Sequence, residues 1–268
     1  MAQNIYSTKS QEQKDFYNKT AQKYNKWHVE QASAKIVDAW NFANLEKFIK
    51  KNKNGELSRC LNLGCGTGRL SHNLFKISGE VYGLDQSNEV LKIAKEKYPK
   101  LKLTCAEVVN TPYEDNYFDM VIINGSLHHF FAVEETFAEV NRILKPKGFF
   151  ILLGEPNAGY LKAYNPFFYG WVVNRIFSKI LNLFKVEKDK KPEMIEPDAE
   201  VYVPAKLKKQ LIKHGFKIKQ LYTYDYFHRT ENKLALSFYH NYLNFEHSFI
   251  AKIFPNMGSA IQCFAIKK

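Results

Sequence analysis

Residues 60 to 71, Cys60-Leu61-Asn62-Leu63-Gly64-Cys65-Gly66-Thr67-Gly68-Arg69-Leu70-Ser71, limit what this chain can fold into more than any other stretch. A short apolar run enters three glycines at alternate positions, 64, 66 and 68, after which Arg69, Leu70, Asn73, Leu74 and Phe75 resume at helical spacing. The pattern predicts a strand, a tight turn and a helix N-terminus, with a backbone that a ligand can approach without meeting a Cβ. A dinucleotide fingerprint, Gly-x-Gly-x-x-Gly, would place its third glycine where Arg69 stands. The spacing is instead Gly-x-Gly-x-Gly. Asp85 closes the next apolar run, 81–84, at about the 20-residue distance from which an acidic side chain grips ribose hydroxyls.

The rest of the chain fits one domain built round that loop. With 268 residues and 45% hydrophobic content it can bury a substantial core. There is no run of about 18 uncharged apolar residues, and residues 1–6 lack a basic-then-apolar leader pattern, so a cytoplasmic location is expected. The four cysteines, at 60, 65, 105 and 263, form no Cys-x-x-Cys pair, which argues against a disulfide framework or a metal site. The net charge of +12 raises nucleic acid as a partner. Only five of the 39 basic residues are arginine, however, and the lysines are spread along the chain as solvated helix faces would spread them. Attraction to an anionic membrane surface or an acidic substrate stays open.

Along the chain, 11–24 and 32–49 carry apolar residues at three- and four-residue spacing and read as helices. From 57 onward strand and helix patterns alternate: strands at 81–84, 101–104, 120–123 and 149–153, helices at 88–98 and 133–143. This predicts a parallel sheet with helices on both faces and a ligand crevice at the carboxyl ends of the strands. A helix from Pro204 stops at Gly215, 216–222 is a strand, 236–254 a helix and 260–266 a last strand.

The glycine loop, Asp85, the turn Pro112-Tyr113-Glu114-Asp115-Asn116-Tyr117-Phe118-Asp119, the segment Asn124-Gly125-Ser126-Leu127-His128-His129 and the run Leu144-Lys145-Pro146-Lys147-Gly148 together resemble the class I S-adenosylmethionine-dependent methyltransferases of small-molecule type, most closely over 57–156. The resemblance implies a Rossmann-like α/β fold, a seven-stranded mostly parallel sheet with an antiparallel last strand. It implies one domain: N-terminal helices over 1–57, a cofactor-binding core over 58–156, a helical lid insertion over 157–202 and the rest of the sheet over 203–268. It implies S-adenosylmethionine as cofactor, with Asn62, Gly64, Cys65, Gly66 and Gly68 round its methionine end, Asp85 and Gln86 at the ribose, and Cys105, Ala106 and Glu107 at the adenine. Ala106 would serve through its backbone and Cys105 as a wall of the adenine pocket. Relatives carry aspartates where Asn62 and Cys105 stand. Asn124 would face the reaction centre, and Tyr24 either folds over the cofactor or packs its helix on the sheet.

Candidates near the transferred methyl are His128, His129 and Glu155. A histidine there has two readings, a general base or a buried group tied to backbone. The segment 166–186 is rich in Phe, Tyr and Trp, with its polar residues on one helical stripe, and reads as a core helix, an apolar substrate cap or a helix resting on lipid. Methyl transfer to a small or medium, apolar or aromatic acceptor, at oxygen, is the expected activity. The alternatives are a lipid-like quinone or isoprenoid acceptor at a membrane surface, a nucleic-acid methyltransferase, and a cofactor-binding relative without catalysis.

Overall fold

A computed structural model describes residues 2–26, 31–53, 55–160, 200–226 and 233–268. Seven strands form one sheet: β1 (Leu57–Leu63), β2 (Ser78–Asp85), β3 (Lys102–Cys105), β4 (Phe118–Asn124), β5 (Leu144–Pro156), β6 (Phe216–Tyr224) and β7 (Ala260–Lys267), in the order β3-β2-β1-β4-β5-β7-β6. Strands β1 to β5 pair in parallel, and β7 runs antiparallel to both β5 and β6, as expected. Helices α1 (Ala2–Tyr24), α2 (Ala32–Asn52), α3 (Arg69–Leu74), α4 (Asn88–Lys97), α5 (Val133–Ile143), α6 (Pro204–Lys213) and α7 (Lys233–Phe245) surround it, and a π-helical turn, Glu246–Ile250, continues α7.

Alternation along the central strands explains why both faces need helices. In β4, Val121 and Ile123 point to one side, where Phe137, Val140 and Ile143 of α5 and Leu207 and Leu211 of α6 bury them. Met120 and Ile122 point to the other, against Phe42, Leu45 and Phe48 of α2 and Leu70 and Leu74 of α3. A strand buried on both faces must be apolar throughout, and Met120 to Ile123 are all fully buried. Helix α4 begins at Ser87, whose hydroxyl accepts from the Val90 N–H (3.3 Å) as an N-cap.

The order reverses between β1 and β4, where the chain leaves β1 toward β2 on one side and returns to β4 on the other. In open α/β sheets this is where ligands bind, beyond the strands' carboxyl ends. The predicted lid, 157–202, lies for the most part outside the described residues, as does all of 166–186. No helix among the described residues is long and apolar enough to cross a membrane.

Candidate functional site

The chain turns out of β1 at Gly64 (φ +70°), whose N–H donates to the Leu84 carbonyl of β2 at 2.8 Å. A Cβ at this position would stand 2.6 Å from Ser126 Oγ, so the loop after β4 can close over β1 only because residue 64 has no side chain. Gly66 also has positive φ (+53°), but a Cβ there would meet nothing within 4 Å: its open side faces the cleft. Gly68 serves packing, since a Cβ on it would lie 2.9 Å from Leu101 Cδ1, and it does not line the cleft.

The cleft, about 1030 Å³ with the solvent at its mouth included, is partly open. Asp85 lines it, with Oδ2 accepting from the Gly66 N–H (2.9 Å) and Oδ1 from the Ser87 N–H (3.0 Å). Burial raises its pKa above the ordinary carboxylate value, and the N–H donors of Ser87, Gly66 and Gln86 hold that rise in check. Asn62, 2% exposed, donates through Nδ2 to Ser71 Oγ (2.9 Å) and leaves its Oδ1 buried without a partner. A buried carbonyl left unpaired costs roughly 1–3 kcal/mol. A ligand bearing a cationic N–H in the cleft would remove that cost.

Helix α1 roofs the cleft. The Ser10 hydroxyl donates to Glu107 Oε1 (2.9 Å), Gln86 Nε2 donates to Gln13 Oε1 (3.0 Å), and the Ser87 hydroxyl donates to Asn18 Oδ1 (2.7 Å). Tyr17 and Tyr24 both line the cleft, their rings edge to face at 5.4 Å. Sequence reasoning missed Ser10, Gln13 and Tyr17.

Beyond β4 a turn of 3-10 helix, Leu127–His129, carries the two histidines in different directions. His129 is 9% exposed, faces the cleft, and its Nε2 lies 3.0 Å from the Tyr17 hydroxyl. Burial, with a smaller contribution from His128, pushes its pKa down from 6.5 to about 3, so the ring is neutral at physiological pH. His128 turns away, with Nδ1 3.0 Å from Glu155 Oε2. Glu155 is fully buried: Oε1 accepts from the N–H groups of Ser126 and Leu127, and Oε2 from that of His128, each at 3.1 Å.

Several expectations change. Glu155 and His128 do not line the cleft; the carboxylate is an anchor for the turn that aims His129 and Asn124. The register shift between Leu153 and Glu155, at Gly154 (φ +73°), re-aims the strand end so that the carboxylate lies under the amides of 126 to 128. Cys105 is an exposed thiol 3.4 Å from the Gln86 carbonyl and is not a cleft wall, because β3 is the edge strand of the sheet. The Ala106 N–H, expected at the adenine ring, donates to the Asp85 carbonyl at 3.2 Å, and Ala106 packs against the core. Val108 lines the cleft in their stead. Asn62, Gly64, Cys65, Gly66, Gln86, Glu107 and Asn124 line it together.

A glycine turn at the first strand, an acidic residue ending the second, and a sheet whose seventh strand alone runs backwards define an S-adenosylmethionine-binding fold. Residues 61–152, about a third of the chain, match the family described as a methyltransferase domain, and the fold is that of the class I S-adenosylmethionine-dependent methyltransferases. Over 138 residues it is 33% identical to a demethylmenaquinone methyltransferase of Staphylococcus saprophyticus, a stretch that is 48% of this chain and 59% of that protein. The chain thus spans less than two thirds of the curated relatives it matches. Among solved structures, an S-adenosylmethionine-dependent methyltransferase of Thermotoga maritima superposes with a TM-score of 0.59 at 17% identity, covering 96% of this chain and all of that one. A complex of the Trm112 methyltransferase activator with a methyltransferase from Haloferax volcanii gives 0.58 at 14%, covering 95% and 97%. At these identities the likeness is one of fold.

Proposed function

We propose that the chain transfers the methyl group of S-adenosylmethionine to a small or medium acceptor that is largely apolar or aromatic, and that the methyl goes to oxygen. When bound, the cofactor supplies an activated methyl on a sulfonium, which is itself the leaving group. The protein's part is to hold, align and exclude water. Asp85 would hold the ribose hydroxyls once Gly66 and the ribose share its oxygens. Gln86 and Glu107 would border the adenosine. The unpartnered Asn62 Oδ1, beside the bare backbone at Gly66, fits the methionine end, and Tyr24 would close over it.

The observation that carries the acceptor class is His129, neutral and paired with the Tyr17 hydroxyl, beside Phe130 and Phe131 in the cleft wall. An imidazole with a pKa of about 3 is a weak base. It can hold an acceptor hydroxyl by a hydrogen bond but has little power to take its proton, which favours hydroxyls that are already acidic, such as phenols and reduced quinones, over alcohols. A second reading, a lipid-like quinone acceptor, is supported by the likeness to demethylmenaquinone methyltransferases.

The test is transfer of labelled methyl from S-adenosylmethionine to a panel of phenols, quinols, alcohols and amines. Label appearing on phenolic or quinol oxygen, and falling in Tyr17→Phe and His129→Ala with cofactor affinity kept, is the expected result. Label on amines alone would refute the acceptor class, and cofactor binding with no transfer to any acceptor would point to a binding relative without catalysis.

A further inference from the structure

Helix α7, the π-helical turn after it and the last short turn, Ala251–Ile253, form one rod with two apolar sides. The inner side is ordinary: Tyr239, Leu243 and Ala251 are buried, and the rod packs on Trp40 of α2 and Tyr224 of β6. The outer side carries Phe238, Phe245, Phe249 and Ile253, which are 63%, 51%, 55% and 54% exposed. Spaced seven, four and four residues apart, close to whole turns, the four share one side of the rod as a stripe. The rings of Phe245 and Phe249 stack on each other, 5.6 Å apart. A surface helix normally turns a polar face outward, and four large apolar groups in a row there mark an interaction surface.

The charge beside the stripe is of one sign. Over 237–256 the exposed ionisable side chains are Lys252 and His240; the one acidic residue, Glu246, is fully buried. Lys47 of α2, also exposed, stands near the rod, since it and Lys252 both act electrostatically on the His247 ring.

We propose that this stripe docks the protein on an anionic lipid surface, with Phe238, Phe245, Phe249 and Ile253 entering the acyl boundary and Lys47 and Lys252 meeting the headgroups. Bulky apolar groups flanked by lysine, on a rod whose one acidic side chain within 237–256 is buried, are the make-up of an interfacial helix. A second copy of the chain suits the stripe less well: two bodies of net charge +12 repel, and four side chains fall short of the roughly 800 Å² per partner of a stable interface. Docking deepens the reading of an apolar acceptor, since it would bring the protein to the phase in which such a molecule dissolves, but the two can fail separately.

The test is co-sedimentation of the full chain with phosphatidylglycerol–phosphatidylcholine vesicles and with pure phosphatidylcholine vesicles, for the natural sequence, F245S/F249S and K47E/K252E. The natural chain should pellet with the anionic vesicles, and each double variant should lose partitioning by on the order of tenfold or more, with melting temperature and S-adenosylhomocysteine affinity unchanged. No preference for anionic vesicles, or equal partitioning of the variants, overturns the proposal. So does sedimentation equilibrium showing a dimer that F245S/F249S dissolves, which would make the stripe a contact between copies. Vesicle binding that persists while no apolar acceptor is methylated overturns the acceptor reading alone, and a natural chain that does not pellet with anionic vesicles yet methylates a soluble phenol overturns docking alone.

Discussion

His129 and Glu155 share a turn and have opposite relations to water and charge. The imidazole is buried beside another histidine and stays neutral; the carboxylate is buried deeper but receives three N–H donors. With a folded pKa near 3 against an ordinary 6.5, His129 takes up its proton only far below the pH at which the unfolded chain does. Stability is therefore full above about 6.5 and falls as the pH drops from there toward 3. The His129 ring resonances should stay flat from pH 8 to about 4 in an NMR titration, and H129F should flatten the fall in melting temperature over the acid range. A His129 midpoint near 6.5 would remove this account of the ring. Glu155→Gln replaces one acceptor oxygen with a donor facing N–H groups, so it should cost about 1–3 kcal/mol in chemical denaturation while its effect on methyl transfer comes through the turn.

At the scale of elements, the glycine loop and α1 make the cleft between them. The loop closes because residue 64 is bare, and Gly64→Ala would force 2.6 Å contacts on Ser126 as well as a positive φ on a residue with a Cβ. Its expected outcome is a loss of about 1–3 kcal/mol of stability together with weakened cofactor binding, read by thermal melting and calorimetry. Helix α1 contributes through polar side chains that carry no apolar signal. Ser10 and Gln13 sit where a sequence reading expects solvent, yet they are 6% and 3% exposed because α1 lies against the ends of β2 and β3. Removing the Ser10 hydroxyl and the Gln13 amide in S10A/Q13A should loosen the roof, raising amide exchange over α1 while that in β4 stays unchanged.

For the molecule as a whole, what the sequence revealed was what local pattern can encode. The glycine turn, Asp85 and the alternation of strand and helix are local patterns, and the parallel sheet follows from them, while the antiparallel last strand comes from the family resemblance. What it concealed depends on distance and register. Tyr17 meets His129 across 112 residues, and no period in the chain points from one to the other. Glu155 is a sequence candidate for the reaction centre, and the bulge at Gly154, which no local pattern announces, turns it under the backbone. Cys105 and Ala106 were placed by position along β3, but the strand is an edge, so its last thiol meets solvent and the following N–H is spent on β2.

The central claim is that the cleft under α1 is a cofactor site organised by Asp85 and the loop it holds. Calorimetric titration of S-adenosylhomocysteine into the natural chain and Asp85→Ala tests it most directly. The account predicts saturable one-to-one binding to the natural chain. In the variant no carboxylate remains to accept from the ribose hydroxyls, and the affinity should be weaker by about tenfold or more. Equal affinity in the two proteins would contradict it.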